Sequence, residues 1–209
     1  LGGSYPFQRN EFVVQRLAIL NSSFLARDFV FLSYSTPSNR LTDVIIANNN
    51  LEHGGTPLGG SGLAQAALRA VGAARFVFVD NRLAGYSPDR RQNFRIHAQP
   101  DLAAEDFYIA RNQFEGTGHS FQRSAESGSP TSAQVIENVY YVDNDQYVNE
   151  QVPINIQNTS GYWPLILTLT GNRLYSSTGG YPSNPPGYAY EISSNTVTGY
   201  QTPPPWNFQ

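Results

Sequence analysis

Cysteine is absent, which excludes a disulfide framework, a thiolate metal site, an iron–sulfur cluster and a cysteine nucleophile. Lysine is absent too, since all 13 basic residues are arginine. Without lysine, the Gly-x-x-x-x-Gly-Lys-Ser/Thr phosphate loop and Schiff-base chemistry with pyridoxal phosphate are both excluded. Methionine is missing, and the chain opens at Leu1 with no signal-peptide pattern, so it reads as processed or truncated. Charge is scarce: 14% of residues are charged and the net charge is −3, against about 25% charged residues in an ordinary soluble domain. No basic run offers the clustered arginines that phosphate binding needs, so nucleic acid is not expected as the main partner. No apolar run approaches the roughly 18–20 residues of a membrane span, so no transmembrane segment is expected.

What is present is uncharged polarity. The 209 residues suit one domain with a sizeable core. Asn, Gln, Ser and Thr carry the polarity that charges lack, and 13 Tyr and 12 Phe accompany them. A surface of amide, hydroxyl and phenol groups suits close contact with neighbours better than solubility by charge. Coding bias explains missing lysine as well as any function does, but not the abundance of asparagine.

Along the chain, residues 11–34 fit two templates. Val13, Leu17, Leu20 and Phe24 form a helical seam, giving a helix over about 8–26, whereas Phe12–Leu20 and Phe29–Tyr34 read as strands around Asn21-Ser22-Ser23. A helix followed by a strand is a third possibility. Val44-Ile45-Ile46 is strand-like. Ser61 is placed to cap a helix over 62–71 that Gly72 ends. Phe76, Val77, Phe78 and Val79 read as a buried strand, forming a hairpin with Arg82–Tyr86 through Asp80-Asn81. Asp101–Asn112 fits a short helix, and residues 115–133 a polar loop. Two more hairpins are expected, turning at Asn144-Asp145 and at Gly171-Asn172. No internal repeat of fixed period is evident, which argues against solenoids and propellers.

These signals predict a mainly β fold: an antiparallel, jelly-roll-like β-sandwich with one to three short helices. The alternative is an α+β fold with an N-terminal helix packed on an antiparallel sheet. Residues 1–177 are expected to form a single β-rich domain, and 178–209 an extended arm rich in Pro, Gly and Tyr. The arm has almost no aliphatic residues and Glu191 as its sole charge, so it is expected to order on a neighbour rather than form its own core.

No motif specifies a reaction. Asp143, Asp145, Asn149 and Glu150 are the first place to look for a hard cation, but they lack calcium-loop spacing and fit a polar turn. His53, His97 and His119 form no metal-binding pattern, and His97 lies in a strand-like FRIHA stretch. Gly60-Ser61-Gly62 lacks the buried strand that should precede a catalytic elbow. Glu105, Asp106, Glu137, Glu150 and Glu191 offer no spacing that singles out a glycosidase pair. Asp89-Arg90-Arg91 reads as a solvated or interface patch. Asn21-Ser22-Ser23 and Asn158-Thr159-Ser160 fit the glycosylation pattern, as chance produces in such a chain.

Composition therefore favours a non-enzymatic structural subunit, extracellular or in a virion, that self-assembles into a shell or fibre. Its partners would be copies of itself and other structural subunits, with no catalytic residue, cofactor or metal. Tyr181, Tyr188, Tyr190, Tyr200 and Trp206 are the expected assembly contacts. A pilin-like or pseudopilin-like subunit lacking its apolar N-terminal helix is one alternative. An extracellular carbohydrate-binding module or hydrolase is the other.

Overall fold

A computed structural model describes residues 7–9, 15–26, 31–35, 39–53, 66–84, 92–97, 102–116, 119–123, 136–148, 154–158, 165–176, 189–193, 196–198 and 206–208. The chain winds in rungs of three strands. The first is β1 (Phe7–Arg9), β2 (Gln15–Leu20) and β3 (Ser23–Ala26); the second is β4 (Phe31–Tyr34), β5 (Thr42–Ala47) and β6 (Asn50–His53). The third is β7 (Ala66–Val71), β8 (Ala74–Val79) and β9 (Arg82–Ala84); the fourth is β10 (Gln92–His97), β11 (Ala104–Ala110) and β12 (Gln113–Gly116). The fifth is β13 (His119–Arg123), β14 (Ile136–Val142) and β15 (Asp145–Val148); the sixth is β16 (Ile154–Asn158), β17 (Leu165–Thr170) and β18 (Arg173–Ser176). The last described strands are β19 (Ala189–Ser193), β20 (Thr196–Thr198) and β21 (Trp206–Phe208).

Stacking these rungs produces three seven-stranded sheets. The first runs β1-β4-β7-β10-β13-β16-β21, the second β2-β5-β8-β11-β14-β17-β19, and the third β3-β6-β9-β12-β15-β18-β20. Every strand pairing among the described residues is parallel, for example Val44↔Phe76 and Phe107↔Val139. Parallel neighbours need a crossover, and here the strands of the other two sheets supply it. The fold is a parallel β-helix, about 4.8 Å tall per rung.

The expected antiparallel sandwich is thus corrected: the chain is mainly strand, but the sheets are parallel, and no helix occurs among the described residues. The α+β alternative falls with it, because residues 15–20 and 23–26 are strands. The argument against a solenoid also fails. Equivalent corner residues lie 27, 32, 31, 32 and 28 positions apart, so the repeat is real but its period is not fixed. Residues 66–71 are strand β7, not helix; Leu68 and Ala70 alternate inwards, and the flanking β4 and β10 outweigh the helix preference of alanine. Ser61 lies outside the described residues. Asp101–Asn112 contains β11, and the loop expected at 115–133 contains β13.

The three hairpins are corners instead. A tight primed turn of type I′ needs φ > 0 at both central residues. Here Asp80 (φ 56°), Asp143 (φ 52°) and Gly171 (φ 69°) have positive φ, while the asparagine after each does not. One left-handed residue turns the chain from the second sheet into the third without reversing it. Gly72 (φ 61°) does the same between the first and second sheets.

The core is a stack of inward residues. Val44, Phe76, Phe107 and Val139 form one column, and Ile19, Ile46, Phe78, Ile109, Tyr141 and Leu169 the next. Phe76 stacks on Phe107 at 5.3 Å between centroids, and Phe114 stacks on both Phe78 and Tyr141 at 6.1 Å. Of the β8 residues, the Phe pair faces the core and the Val pair faces out. In the stretch expected to be an arm, β19, β20 and β21 pair with β17, β18 and β16 of the same chain.

Candidate functional site

The corner between the second and third sheets is built from a repeated dipeptide, a left-handed residue followed by a buried asparagine. Asn49, Asn81, Asn112, Asn144 and Asn172 are all at most 3% exposed. In each, the side chain replaces a missing peptide group. Asn81 Oδ1 accepts the Asn49 backbone N–H at 2.9 Å, and Asn81 Nδ2 donates to Ile46 O at 2.8 Å. Asn112 does the same for Asn81 and Phe78, Asn144 for Asn112 and Ile109, and Asn172 for Asn144 and Tyr141. Only an amide carries donor and acceptor together at this reach, which is why asparagine recurs.

On the outside of the second sheet, polar residues stack in two columns. The first is Arg16, Asp43, Arg75, Asp106 and Asn138, all with positive φ between 50° and 63°. Asp43 accepts from Arg75 Nε at 2.6 Å and Nη2 at 2.8 Å, and Asn138 Nδ2 donates to Asp106 at 2.9 Å. The Arg75 guanidinium holds the Asp43 carboxyl at about 2, below its ordinary 3.8. The second column is the corner itself: Asn21, Asn48, Asp80, Arg111, Asp143 and Gly171. Asp80 takes a bidentate pair from Arg111 at 2.8 and 2.7 Å, which lowers its pKa.

Between the columns lies an apolar strip. Ile45 is 46% exposed, Tyr108 40% and Tyr140 46%, with Val77 in line at half-burial. Leu20, Ala47, Val79 and Val142 form the neighbouring line, in which Ala110 is fully buried. Charge-rich edges around an apolar strip make this sheet face the best candidate for a functional surface. Its signal in the sequence was alternation of inward and outward residues, which was legible in Phe76–Val79 only.

A depression of about 520 Å³ indents the corner near the first rungs, lined by Asn21, Ser22, Asn48, Asn50, Asp80 and Arg82 among others. Its Arg82 is engaged by Asn50 and Glu52, both at 3.1 Å.

The residues considered from sequence are placed as follows. Asp143 and Asp145 flank buried Asn144 and diverge: Asp143 lies over Gly171, and Asp145 pairs with Arg173. Asn149 and Glu150 lie outside the described residues. Among the described residues no group of three or more His, Asp or Glu converges. His53 ends β6 in the third sheet, while His97 and His119 sit in β10 and β13 of the first. Glu105 and Glu137 are register partners on β11 and β14. Glu105 is bound by Arg40 at 2.6 Å, and Arg40 also donates to Gly72 O and Ala103 O, stitching that corner together. Glu191 follows Tyr190 in β19, and these two register with Thr168 and Leu167. Trp206 registers with Ile154. Tyr181, Tyr188, Tyr200 and residues 89–91 lie outside the described residues. No described helix is long and apolar enough to cross a membrane. Compared with known proteins, the chain matches no family model, no curated protein and no solved structure.

Proposed function

We propose that the chain is a non-enzymatic structural subunit, a stiff element of a self-assembling extracellular or virion structure. One observation carries this reading: among the described residues, six carboxylates are committed to neighbours along the stack. Asp43 binds Arg75, Glu52 binds Arg82, Asp80 binds Arg111, Glu105 binds Arg40, Asp106 binds Asn138 and Asp145 binds Arg173. General acid–base chemistry needs a carboxyl aimed at a substrate, whereas these tie rung to rung. Three continuous sheets with a buried amide ladder make a stiff column with flat sides, the shape of a spacer or a tile.

A second reading, a carbohydrate-binding module, draws on the amide-lined depression at the corner. Light scattering on purified protein over a wide concentration range, with electron microscopy, separates the two. Ordered oligomers or filaments are expected. A protein that stays monomeric throughout and binds a soluble polysaccharide would replace the first reading with the second.

A further inference from the structure

The outer face of the second sheet has a charge pattern that repeats on inversion. We infer that it pairs with the same face of a second copy, about a two-fold axis parallel to the strands between the third and fourth rungs. The inference rests on the self-assembly reading and names its contact surface.

The argument is geometric. A two-fold axis parallel to the strands keeps each position along the strand and reverses the order of the rungs. With the axis between β8 and β11, Arg75 faces Asp106 of the second copy and Asp80 faces its Arg111. In the flanking rungs Asp43 faces Asn138 and Asn48 faces Asp143. No like charges meet. These groups are available, since the side chains of Arg75, Asp43, Arg111 and Asp80 are 56%, 40%, 51% and 46% exposed. Moving the axis by half a rung, onto β8 or onto β11, destroys the match. On β8 it sets Asp43 against Asp106, and on β11 it sets Asp80 against Asp143. Charge therefore selects the register, as complementary fields do at interfaces.

A two-fold along the stack, with the copies parallel, would also oppose Arg75 to Asp80. Side-chain bulk excludes it. The strip thickens from Ala18, Ile45 and Val77 to Tyr108 and Tyr140. Parallel copies would set tyrosine on tyrosine and leave a wedge-shaped gap over Ala18. Antiparallel copies set Tyr108 on Val77 and Tyr140 on Ile45, filling the interface evenly, as close packing requires. Six rungs at about 4.8 Å by five residue steps at about 3.3 Å cover roughly 500 Å² per copy. The total of roughly 1,000 Å² is near the threshold for a biological interface and below the about 1,200 Å² of stable ones, so the dimer is a weak, concentration-dependent one.

Sedimentation equilibrium on the full chain tests this. Tyr108→Glu and Arg111→Asp are each expected to raise the dimer dissociation constant roughly tenfold or more, with unchanged circular dichroism. The double change Asp80→Arg with Arg111→Asp keeps the pair within the chain and restores it across the axis. It should therefore dimerise again with itself but not with the wild type. Unchanged association of Tyr108→Glu, or a double variant as weak as Arg111→Asp, would overturn the inference while leaving self-assembly standing. A wild type monomeric at every concentration would overturn both.

Discussion

Asn112 holds Asn81 by one oxygen: its Oδ1 accepts the Asn81 backbone N–H at 2.9 Å and Asn81 Nδ2 at 3.1 Å. Both residues are 2% exposed, so water is no substitute partner. Asn112→Ala leaves the Asn81 N–H and the Phe78 carbonyl without that amide, and should cost about 2–4 kcal/mol in urea unfolding. Asn112→Asp keeps the acceptor and loses the donor unless the acid is protonated. Burial raises that carboxyl's folded pKa, so the variant should lie closer to wild type in mild acid than at neutral pH.

The aromatic stack should be as sensitive. Phe76 and Phe107 are fully buried and in contact. Phe107→Ala should cost about 3–5 kcal/mol by lost burial and an unfilled cavity. Phe107→Leu keeps most of the volume and should lose less than half of that. Thermal and urea unfolding of both variants checks the ratio.

Acid should weaken the outer columns before the core. The Asp43 carboxyl stands at about 2 when folded against an ordinary 3.8, and Asp80 is lowered by Arg111. A depressed pKa gives stability that is complete above the unfolded value and lost as pH falls through the folded one. The melting temperature should thus show no Asp43 contribution to its slope above about pH 5, then a decline towards pH 2. Asp43→Asn should flatten that decline. A decline of equal depth in the variant would show that Asp43 does not carry it.

Gly171 is the glycine of the corner column, at φ 69°. A Cβ there would meet Asp143 Oδ1 at 2.0 Å, the free end of a side chain that can turn away. Gly171→Ala should therefore cost about 1–2 kcal/mol, mostly for the left-handed backbone. Gly171→Asn should cost less, because asparagine tolerates that conformation and already occupies it at Asn48. Chemical unfolding of the two variants ranks them.

Much of the local structure was legible. β8 with its buried Phe pair follows from alternation, while the strand-like runs at Val44-Ile45-Ile46 and around His97 follow from β-prone residues. Of the corner dipeptides, Asp80-Asn81 and Gly171-Asn172 were found as polar turn pairs, and Asp143-Asn144 one residue late, as Asn144-Asp145. Their meaning was not, because Asp80-Asn81 looks alike whether the chain reverses or turns a corner. Separating the cases needs the equivalence of Asn49, Asn81, Asn112, Asn144 and Asn172. That pattern hides behind unequal spacings, 27–28 residues at the two ends of the stack and 31–32 between them. β7 was misread because its Ala and Leu favour helix locally, and its partners lie a rung away. The strip of Ile45, Val77, Tyr108 and Tyr140 was illegible for the same reason, since its members meet only through register.

The three edges of the column differ in how they take up chain length. Between the second and third sheets, each of the first six rungs has two residues: the gaps after Leu20, Ala47, Val79, Ala110, Val142 and Thr170 are identical. Between the third sheet and the first, the chain runs from His53 to Ala66 in one rung and from Gly116 to His119 in another. One edge therefore works as a ruler and another as a hem that can be let out. Foreign sequence inserted after His53 or Ala84 should decorate the column without shifting a rung, whereas one extra residue between Asp80 and Asn81 would throw the amide ladder out of step. The molecule is in this sense a display frame, rigid along one seam and open to variation along another.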